Sequence, residues 1–354
     1  MHGGNIWAAA RRTGRPAGEW LDFSASINPL GMPPWVRAAA HAAMDSVCHY
    51  PDPDCEELRA AAGARNGLDP SLIHFGNGAA ELIHLLIAAL LPPAGLVLAP
   101  TFGRYAAAMR LCGIPVTELP AWPAPPDPGA LAAWLEGAPA GAIIFLCNPN
   151  NPTGRRLPAE LLDVALAQDR VWVVVDEAFL DFVPGASTLL PLVASHSRLI
   201  VLRSLTKLYA FPGLRLGWLA GPAELISRLR HLQVPWSVNA PAMAAGLAAI
   251  AGPDYAADTQ AGLAPVKANA LETLAALTPW LNPLATDCNY FLVRLHGITG
   301  SLLQERLLPH GILIRTCNGF TRLGDGYIRL AVRPQREVRR LVQALADVRQ
   351  ATVL

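Results

Sequence analysis

The sequence carries almost no net charge. Its 354 residues include 28 Lys and Arg against 27 Asp and Glu, which leaves a formal net charge of +1. A chain with this balance produces no electrostatic field strong enough to favour nucleic acid or an anionic membrane surface as its main partner. We therefore expect a small-molecule ligand. The length exceeds that of most single cores and predicts one large domain plus a smaller one.

Cysteine clusters are also absent. The six cysteines occur without a CxxC pair or a Cys/His cluster, so the sequence predicts neither a metal site nor a disulfide framework. Reduced thiols are typical of the cytosol, and the N-terminal residues lack the basic and then apolar order of a signal peptide. We expect a cytoplasmic protein. The cysteines are Cys48, Cys55, Cys112, Cys147, Cys288 and Cys317.

Uninterrupted apolar segments are missing as well. Residues 82–103 and 234–253 are uncharged and long enough to span a bilayer. Each contains several prolines, which favour separate short elements over one continuous membrane helix. We predict no membrane span, and we find no internal repeat or low-complexity linker between domains.

The middle of the chain has the pattern of an α/β domain. From about residue 72 to 220, short apolar runs alternate with amphipathic segments, as expected for a mostly parallel sheet covered by helices. We predict a large domain over residues 45–240, and a smaller α+β domain from residues 1–44 and 241–354 with an N-terminal arm. The predicted strands are Leu96–Ala99, Ala142–Leu146, Val171–Val175, Leu199–Leu202 and Leu214–Leu219.

Polar clusters follow three of these strands. The segment CNPNNPTG follows the second strand, DEAF follows the third, and RSLTK with PGLR follows the fourth. Singly, these residues are better explained as a turn, a helix cap and solvated charges. Their order is more informative, because ligands of open α/β sheets bind at the carboxyl ends of the strands. We predict a ligand site that includes Asn151, Asp176, Lys207 and Arg215.

These motifs resemble the signature of the fold-type I pyridoxal-phosphate enzymes of aminotransferase class I/II, over nearly the whole chain. The resemblance implies pyridoxal 5'-phosphate as the cofactor, held as a Schiff base by Lys207. Asp176 is then expected to face the pyridine nitrogen and keep it protonated, so that the ring accepts electrons. Asn151 resembles the residue that donates to the phenolate oxygen of the cofactor.

The same resemblance places the cofactor phosphate at a glycine-containing helix start. In Gly76-Asn-Gly-Ala-Ala80, backbone amides point at an anion where the helix dipole also favours it. Phe102, or alternatively Tyr105, is expected to stack on the ring. Tyr50 resembles a tyrosine that the neighbouring subunit contributes, which implies a homodimer with shared active sites. The expected phosphate contacts within one chain are Gly78, Ala79, Ala80, Ser204, Thr206 and Arg215.

Substrate contacts are implied by finer similarities. Arg329 looks like the family arginine for the substrate carboxylate, and Arg315 like the one that takes a substrate phosphate in the histidinol-phosphate aminotransferase branch. Arginine forks suit both anions. Asn151 is expected to contact substrate as well as cofactor. The segments HGGN and LDFSASINPLG resemble the threonine-phosphate decarboxylase branch, which adds His2 and Asn28 to the expected phosphate site.

The activity implied by that branch is decarboxylation of L-threonine O-3-phosphate in cobalamin biosynthesis. Phe179 fits it, because many aminotransferases of the class have tyrosine at this place in the DEAF motif. Ser26 departs from it, because these decarboxylases often carry Asn there. One rival is an aminotransferase acting on a phosphorylated substrate such as histidinol phosphate. Another is a non-catalytic effector-binding domain, which the lack of a basic N-terminal module disfavours.

Overall fold

A computed structural model of the protein describes residues 3–277 and 279–353. Three sheets, thirteen α-helices and six short 3-10 helices occur in this part of the chain. The α-helices are α1 (Ile6–Thr13), α2 (Pro34–Ala42), α3 (Glu56–Asn66), α4 (Ala79–Leu90), α5 (Arg104–Leu111), α6 (Pro128–Gly137), α7 (Ala159–Leu166), α8 (Leu205–Leu208), α9 (Ala223–Leu232), α10 (Ala240–Ala251), α11 (Tyr255–Ala275), α12 (Gly300–Leu307) and α13 (Gln335–Val353). The strands are β1 (Leu21–Asp22), β2 (Ile73–Gly76), β3 (Gly95–Ala99), β4 (Val116–Pro120), β5 (Ile143–Cys147), β6 (Trp172–Asp176), β7 (Leu199–Ser204), β8 (Gly217–Ala220), β9 (Leu281–Pro283), β10 (Tyr290–Leu295), β11 (Ile312–Leu313), β12 (Arg315–Thr316) and β13 (Tyr327–Ala331).

The large sheet has seven strands in the order β2-β8-β7-β6-β5-β3-β4. Only β8 pairs antiparallel with its neighbours; the pairs from β7 to β4 are all parallel. The central strands β5 and β6 are buried along nearly their whole length, which explains their continuous apolar sequence. The predicted α/β class and mostly parallel sheet are confirmed.

Two edge strands were not predicted, and one predicted strand is shorter than expected. β2 has four residues, and β4 is partly exposed with Glu118 in its centre, so neither gives a strong apolar signal. The expected strand Leu214–Leu219 begins instead at Gly217. Arg215 has a φ of 61°, in the left-handed region, and therefore belongs to the preceding turn.

The C-terminal region forms a four-stranded antiparallel sheet in the order β12-β13-β10-β9. β1, near the N-terminus, pairs in parallel with β11, with Leu21 opposite Ile312. This pairing joins the N-terminal segment to the C-terminal region. The domain boundaries at residues 44/45 and 240/241 remain a prediction. Within the described residues, no helix combines the length and apolar character needed to cross a bilayer.

A buried ion-pair network joins the ends of β6 and β7. Glu177 is 1% exposed and accepts hydrogen bonds from Arg203, from the Thr188 hydroxyl at 2.6 Å and from the Leu189 amide at 2.8 Å. Arg203 also pairs with Asp181 at 2.5 Å. Glu177 follows Asp176 directly and Arg203 precedes Ser204. The network therefore fixes the ends of the two strands from which the predicted site residues emerge.

Removing the Glu177 charge should destabilise the protein. Glu177→Gln leaves the Arg203 guanidinium buried with one carboxylate instead of two, and loss of a partner from a buried pair costs about 3 kcal/mol. We expect the urea midpoint to fall accordingly. Glu305→Gln is the matched control, because Glu305 pairs with Arg12 at an exposed site where ion pairs add little. Equal midpoints for the two variants would contradict the structural role of Glu177.

Candidate active site

A cavity of about 400 Å³ lies at the carboxyl ends of the central strands. It brings together twelve of the predicted residues, which are contributed by both the large sheet and the C-terminal sheet. A carboxylate, an amine, hydroxyls and guanidinium groups thus meet around one enclosed volume large enough for a small ligand. The predicted residues in its lining are Gly78, Ala79, Ala80, Phe102, Asn151, Asp176, Ser204, Thr206, Lys207, Arg215, Arg315 and Arg329.

Burial shifts the protonation of both Asp176 and Lys207 toward the uncharged form. Burial raises the pKa of Asp176, while hydrogen bonds from Tyr105 and the Ala178 amide and the charge of Lys207 oppose that rise. Burial, with the charges of Arg329 and Arg215, lowers the pKa of Lys207 to about 8, against the opposing effect of Asp176. A lysine with a lowered pKa has more of the uncharged amine that attacks carbonyl compounds.

One end of the cavity is built to bind an anion. The N-terminus of α4 presents backbone amides there, beginning at Gly78 with a φ of 80°. A Cβ on Gly78 would lie 2.5 Å from Nη2 of Arg215, so glycine is needed for the guanidinium to approach the helix start. The hydroxyls of Ser204 and Thr206, 2.8 Å apart, complete this wall. Amides, hydroxyls and an arginine together suit a phosphate.

Two further arginines line the same cavity. Arg329 is 7% exposed, donates to Asn151 Oδ1 at 2.6 Å and to the Ser24 carbonyl at 2.8 Å, and lies over the Tyr290 ring. Its Nε has no hydrogen-bond partner among the described residues. Arg315 is directly opposite Arg329 in the β12/β13 pairing. Two guanidinium groups here favour a ligand that carries more than one negative charge.

Several predicted residues lie elsewhere. The Asn28 side chain is directed away from the cavity: it donates to the Leu208 carbonyl and the Thr259 hydroxyl, both at 2.8 Å. Its predicted contact with a substrate phosphate is wrong for this arrangement, because both amide hydrogens are engaged in buried contacts. His2 lies outside the described residues, although Gly3 lines the cavity. Tyr50 is 78% exposed and stacks on Trp236 instead of lining its own chain's cavity.

Both aromatic residues expected to stack on the cofactor, Phe102 and its alternative Tyr105, line the cavity. Phe102 is half-buried. The ring of Tyr105 is fully buried against Phe145, and its hydroxyl donates to Asp176 Oδ2 at 2.5 Å. This packing favours Phe102 for the stacking role, which stays a prediction.

Other lining residues were not predicted. Ser26 is 1% exposed, and its hydroxyl has no hydrogen-bond partner within the described part of the chain, so it is available to a ligand. Ser26 stands two positions before Asn28 in the segment LDFSASINPLG. Residue type alone favoured the Asn28 amide over the Ser26 hydroxyl as a contact to a substrate phosphate. Phe320 also lines the cavity and lies under the Arg315 guanidinium at 5.1 Å. No local motif marks Phe320, since its place depends on the loop after β12.

Comparison with known proteins decides the family. The family model for aminotransferase class I and II matches residues 18–345. The chain belongs to the aminotransferase class I and II family. It is 38% identical to threonine-phosphate decarboxylase of Salmonella typhimurium, over 98% of this chain and 96% of that protein.

Two further relatives of this chain carry different functions in their names. The adenosylcobalamin biosynthesis bifunctional protein CobDQ of Leptospira interrogans is 30% identical over 98% of this chain and 41% of its own length. The crystal structure of histidinol-phosphate aminotransferase from Sinorhizobium meliloti in complex with pyridoxal-5'-phosphate superposes with a TM-score of 0.86 at 23% identity. The match covers 99% of this chain and 96% of that chain. The fold predicted from the motifs is confirmed.

The cavity of this aminotransferase-family chain fits pyridoxal phosphate, the cofactor of its family. The α4 amides, Ser204, Thr206 and Arg215 form an anion site at one end. A buried carboxylate and a lysine with a lowered pKa share the same volume. These are the groups that a phosphorylated pyridine aldehyde requires.

The pKa of Lys207 predicts how cofactor attachment depends on pH. Since the amine gains its uncharged form as pH rises through about 8, the cofactor-free protein should attach pyridoxal phosphate faster across that range. Arg329→Gln removes a charge that lowers this pKa, so the midpoint should move to higher pH. Arg333→Gln, whose partner Glu337 lies on α13, should leave it unchanged. The rate is followed by visible absorbance. A wild-type midpoint near the ordinary lysine value of about 10.4 would contradict the assignment.

Proposed function

We propose that the protein decarboxylates L-threonine O-3-phosphate to (R)-1-amino-2-propanol O-2-phosphate in cobalamin biosynthesis, with pyridoxal phosphate as cofactor. The observation that carries the proposal is the pairing of two sites within one cavity. One side holds Lys207, Asp176 and an anion site for the cofactor. The other side holds Arg315 and Arg329, which match a substrate with two anionic groups.

The cofactor supplies an electron sink when bound, and the chain supplies its orientation and electronics. Lys207 attaches the cofactor, Asp176 faces its ring nitrogen, and Asn151 faces its phenolate oxygen. Phe102 stacks on the ring. The cofactor phosphate is held by Gly78, Ala79, Ala80, Ser204, Thr206 and Arg215.

The substrate is oriented by the second set of residues. Arg329, which is already fixed by Asn151 and the Ser24 carbonyl, binds the substrate carboxylate. Arg315 binds the substrate phosphate, with Ser26 and His2 as further contacts. The bond between Cα and the carboxylate carbon breaks, carbon dioxide leaves, and Nζ of Lys207 returns a proton to Cα.

Decarboxylation is favoured over transamination by two observations. The relative that is 38% identical over nearly the full length is named for the decarboxylation. Phe179 lines the cavity beside Asp176 and packs edge-on against Tyr290 at 5.0 Å, so no phenol donates to the cofactor from this position. An aminotransferase acting on histidinol phosphate remains the second candidate, because its branch has the same fold.

Carbon dioxide release separates the two reactions. Purified protein loaded with pyridoxal phosphate should release one carbon dioxide per L-threonine O-3-phosphate consumed, with no keto acid present. The cofactor should not accumulate in its amino form, because no amino group is transferred. Absence of carbon dioxide, together with glutamate formation from histidinol phosphate and 2-oxoglutarate after the appropriate half reactions, would instead establish the aminotransferase.

Arg315 should control affinity for the substrate phosphate. Arg315→Ala should raise KM for L-threonine O-3-phosphate by about tenfold or more, since it removes a charge-assisted contact to the phosphate. Its effect on unphosphorylated L-threonine should be small. Arg294→Ala, an exposed arginine of β10, serves as the control. Equal effects of Arg315→Ala on both substrates would remove Arg315 from the phosphate site.

We also propose a cytoplasmic homodimer with shared active sites. Support comes from Tyr50, which is exposed and stacked on Trp236, itself 46% exposed. Met44, Val47 and Val234, close in sequence to Tyr50 or Trp236, are exposed large apolar side chains, and subunit contacts commonly cover such side chains. Tyr50 would reach the partner's cofactor phosphate. The described cysteines are unpaired, which agrees with a reducing compartment.

Mixed dimers test the shared site. Lys207→Ala and Tyr50→Ala should each lower activity when alone. In a hybrid dimer, one cavity would combine an intact Lys207 with an intact Tyr50 from the other subunit, so activity should return after unfolding and refolding the two variants together. Refolding each variant alone is the control. No recovery in hybrids of verified composition would place Tyr50 within its own chain's site or outside the site.

A further inference from the structure

Tyr105 holds the carboxylate that faces the cavity. It lies in the first turn of α5, is fully buried, and stacks on Phe145 with ring centroids 4.8 Å apart and planes 10° from parallel. Phe102 packs on its edge at 5.5 Å. The phenol hydroxyl donates to Asp176 Oδ2 at 2.5 Å.

The second oxygen of the same carboxylate is fixed from the other side. The Ala178 amide donates to Asp176 Oδ1 at 2.9 Å. Each oxygen thus accepts one hydrogen bond from the protein, and the plane of the carboxylate is set before any ligand binds. Free lone pairs remain for a cationic partner.

We propose that Tyr105 is a positioning residue that keeps Asp176 ionised, and thereby keeps the ring nitrogen of bound pyridoxal phosphate protonated. This inference deepens the proposed function and rests on it, because it assumes that Asp176 faces that nitrogen. Tyr105 acts through Asp176 and does not touch the reacting atoms.

The physical reason is the cost of burying a carboxylate. Burial favours protonated Asp176, while a hydrogen bond to the charged form favours the carboxylate. The other charged or titratable groups that act on Asp176 or Tyr105 from the packed elements are Cys147 on β5, Arg203 on β7 and Lys207 on α8. Among these groups, Tyr105 supports the carboxylate through a side-chain hydrogen bond, whereas Lys207 and Arg203 act on it through their charges.

Tyr105 is suited to act only as a donor. Burial and the neighbouring Asp176 charge hold the pKa of its phenol well above the ordinary value, so the phenol keeps its proton throughout the working pH range. If the hydroxyl is removed, the Asp176 carboxylate becomes more basic, which would favour a proton on Asp176 over a proton on the ring nitrogen of a bound cofactor. A ring without that positive charge would accept electrons less readily.

Tyr105→Phe isolates this effect, because it keeps the ring that stacks on Phe145 and removes only the hydroxyl. Tyr209→Phe is the matched control: Tyr209 is also buried, but its hydroxyl donates to the Ala249 carbonyl at 2.8 Å, outside the cavity lining. The first readout is the ¹⁵N chemical shift of ring-labelled pyridoxal phosphate bound to each protein. The second is the infrared carboxylic-acid band of Asp176 in cofactor-free protein, identified by its loss in Asp176→Asn.

Wild type and Tyr209→Phe should show a protonated ring nitrogen, and Tyr105→Phe should shift toward the neutral signal. The kcat of Tyr105→Phe should fall about tenfold, the equivalent of one hydrogen bond to a charged group, with KM little changed. In cofactor-free Tyr105→Phe, the Asp176 acid band should persist to higher pH. An equally protonated nitrogen in wild type and Tyr105→Phe overturns the proposal.

The infrared measurement decides the case in which Tyr105→Phe binds no cofactor. An Asp176 band that titrates as in wild type then overturns the role of Tyr105. A wild-type protein that takes up no pyridoxal phosphate overturns the proposed function instead. The two failures are therefore distinguishable.

Discussion

The structure depends on keeping a lysine and a carboxylate together in a buried cavity. Burial pushes both groups toward their uncharged forms, raising the pKa of Asp176 and lowering that of Lys207. The charge of each group partly offsets the pKa shift of the other, because their opposite charges attract. The pKa of Lys207 is lowered to about 8, so more of its amine is uncharged and able to attack an aldehyde. Hydrogen bonds from Tyr105 and the Ala178 amide oppose the rise in the pKa of Asp176.

The ends of the parallel strands hold Asp176 and Lys207 in place. Register places Asp176 on β6 opposite Cys147 on β5 and Leu202 on β7, so the loops after these strands open at one edge. The buried ion pair between Glu177 and Arg203 also joins the ends of β6 and β7. A well-fixed arrangement is necessary because buried charges are tolerated only with satisfied partners. The C-terminal sheet then closes the cavity with Arg315 and Arg329.

Much of this site was predictable from the sequence because the polar clusters directly follow apolar strands. Parallel strands bring their carboxyl ends to one edge, so order along the chain translates into proximity. Asn28 and Ser26 show where such reasoning ends. Both residues belong to one irregular segment. Only the folded chain reveals that the Asn28 amide donates hydrogen bonds to residues of α8 and α11, whereas Ser26 lines the cavity.

Tyr105 shows the same limit for aromatic residues. Its sequence context matches that of a cofactor-stacking residue as well as that of a core residue, and the hydrogen bond to Asp176 spans 71 positions of the chain. The edge strands β2 and β4 were missed for a different reason: one is short and the other is partly exposed. The local sequence pattern predicts central strands best, because a strand that is buried on both faces has a continuous run of apolar residues.

The chain contains only two lysines, Lys207 and Lys267, which makes one measurement especially direct. Protein loaded with pyridoxal phosphate is reduced with borohydride, digested, and mapped by mass spectrometry. Lys267 lies in α11, where its amine donates to the Thr286 carbonyl at 3.2 Å, and serves as an internal control. We predict the reduced cofactor on Lys207 alone. Labelling of Lys267 instead, or of neither lysine in protein shown to hold the cofactor, would contradict the assignment of this cavity as the cofactor site.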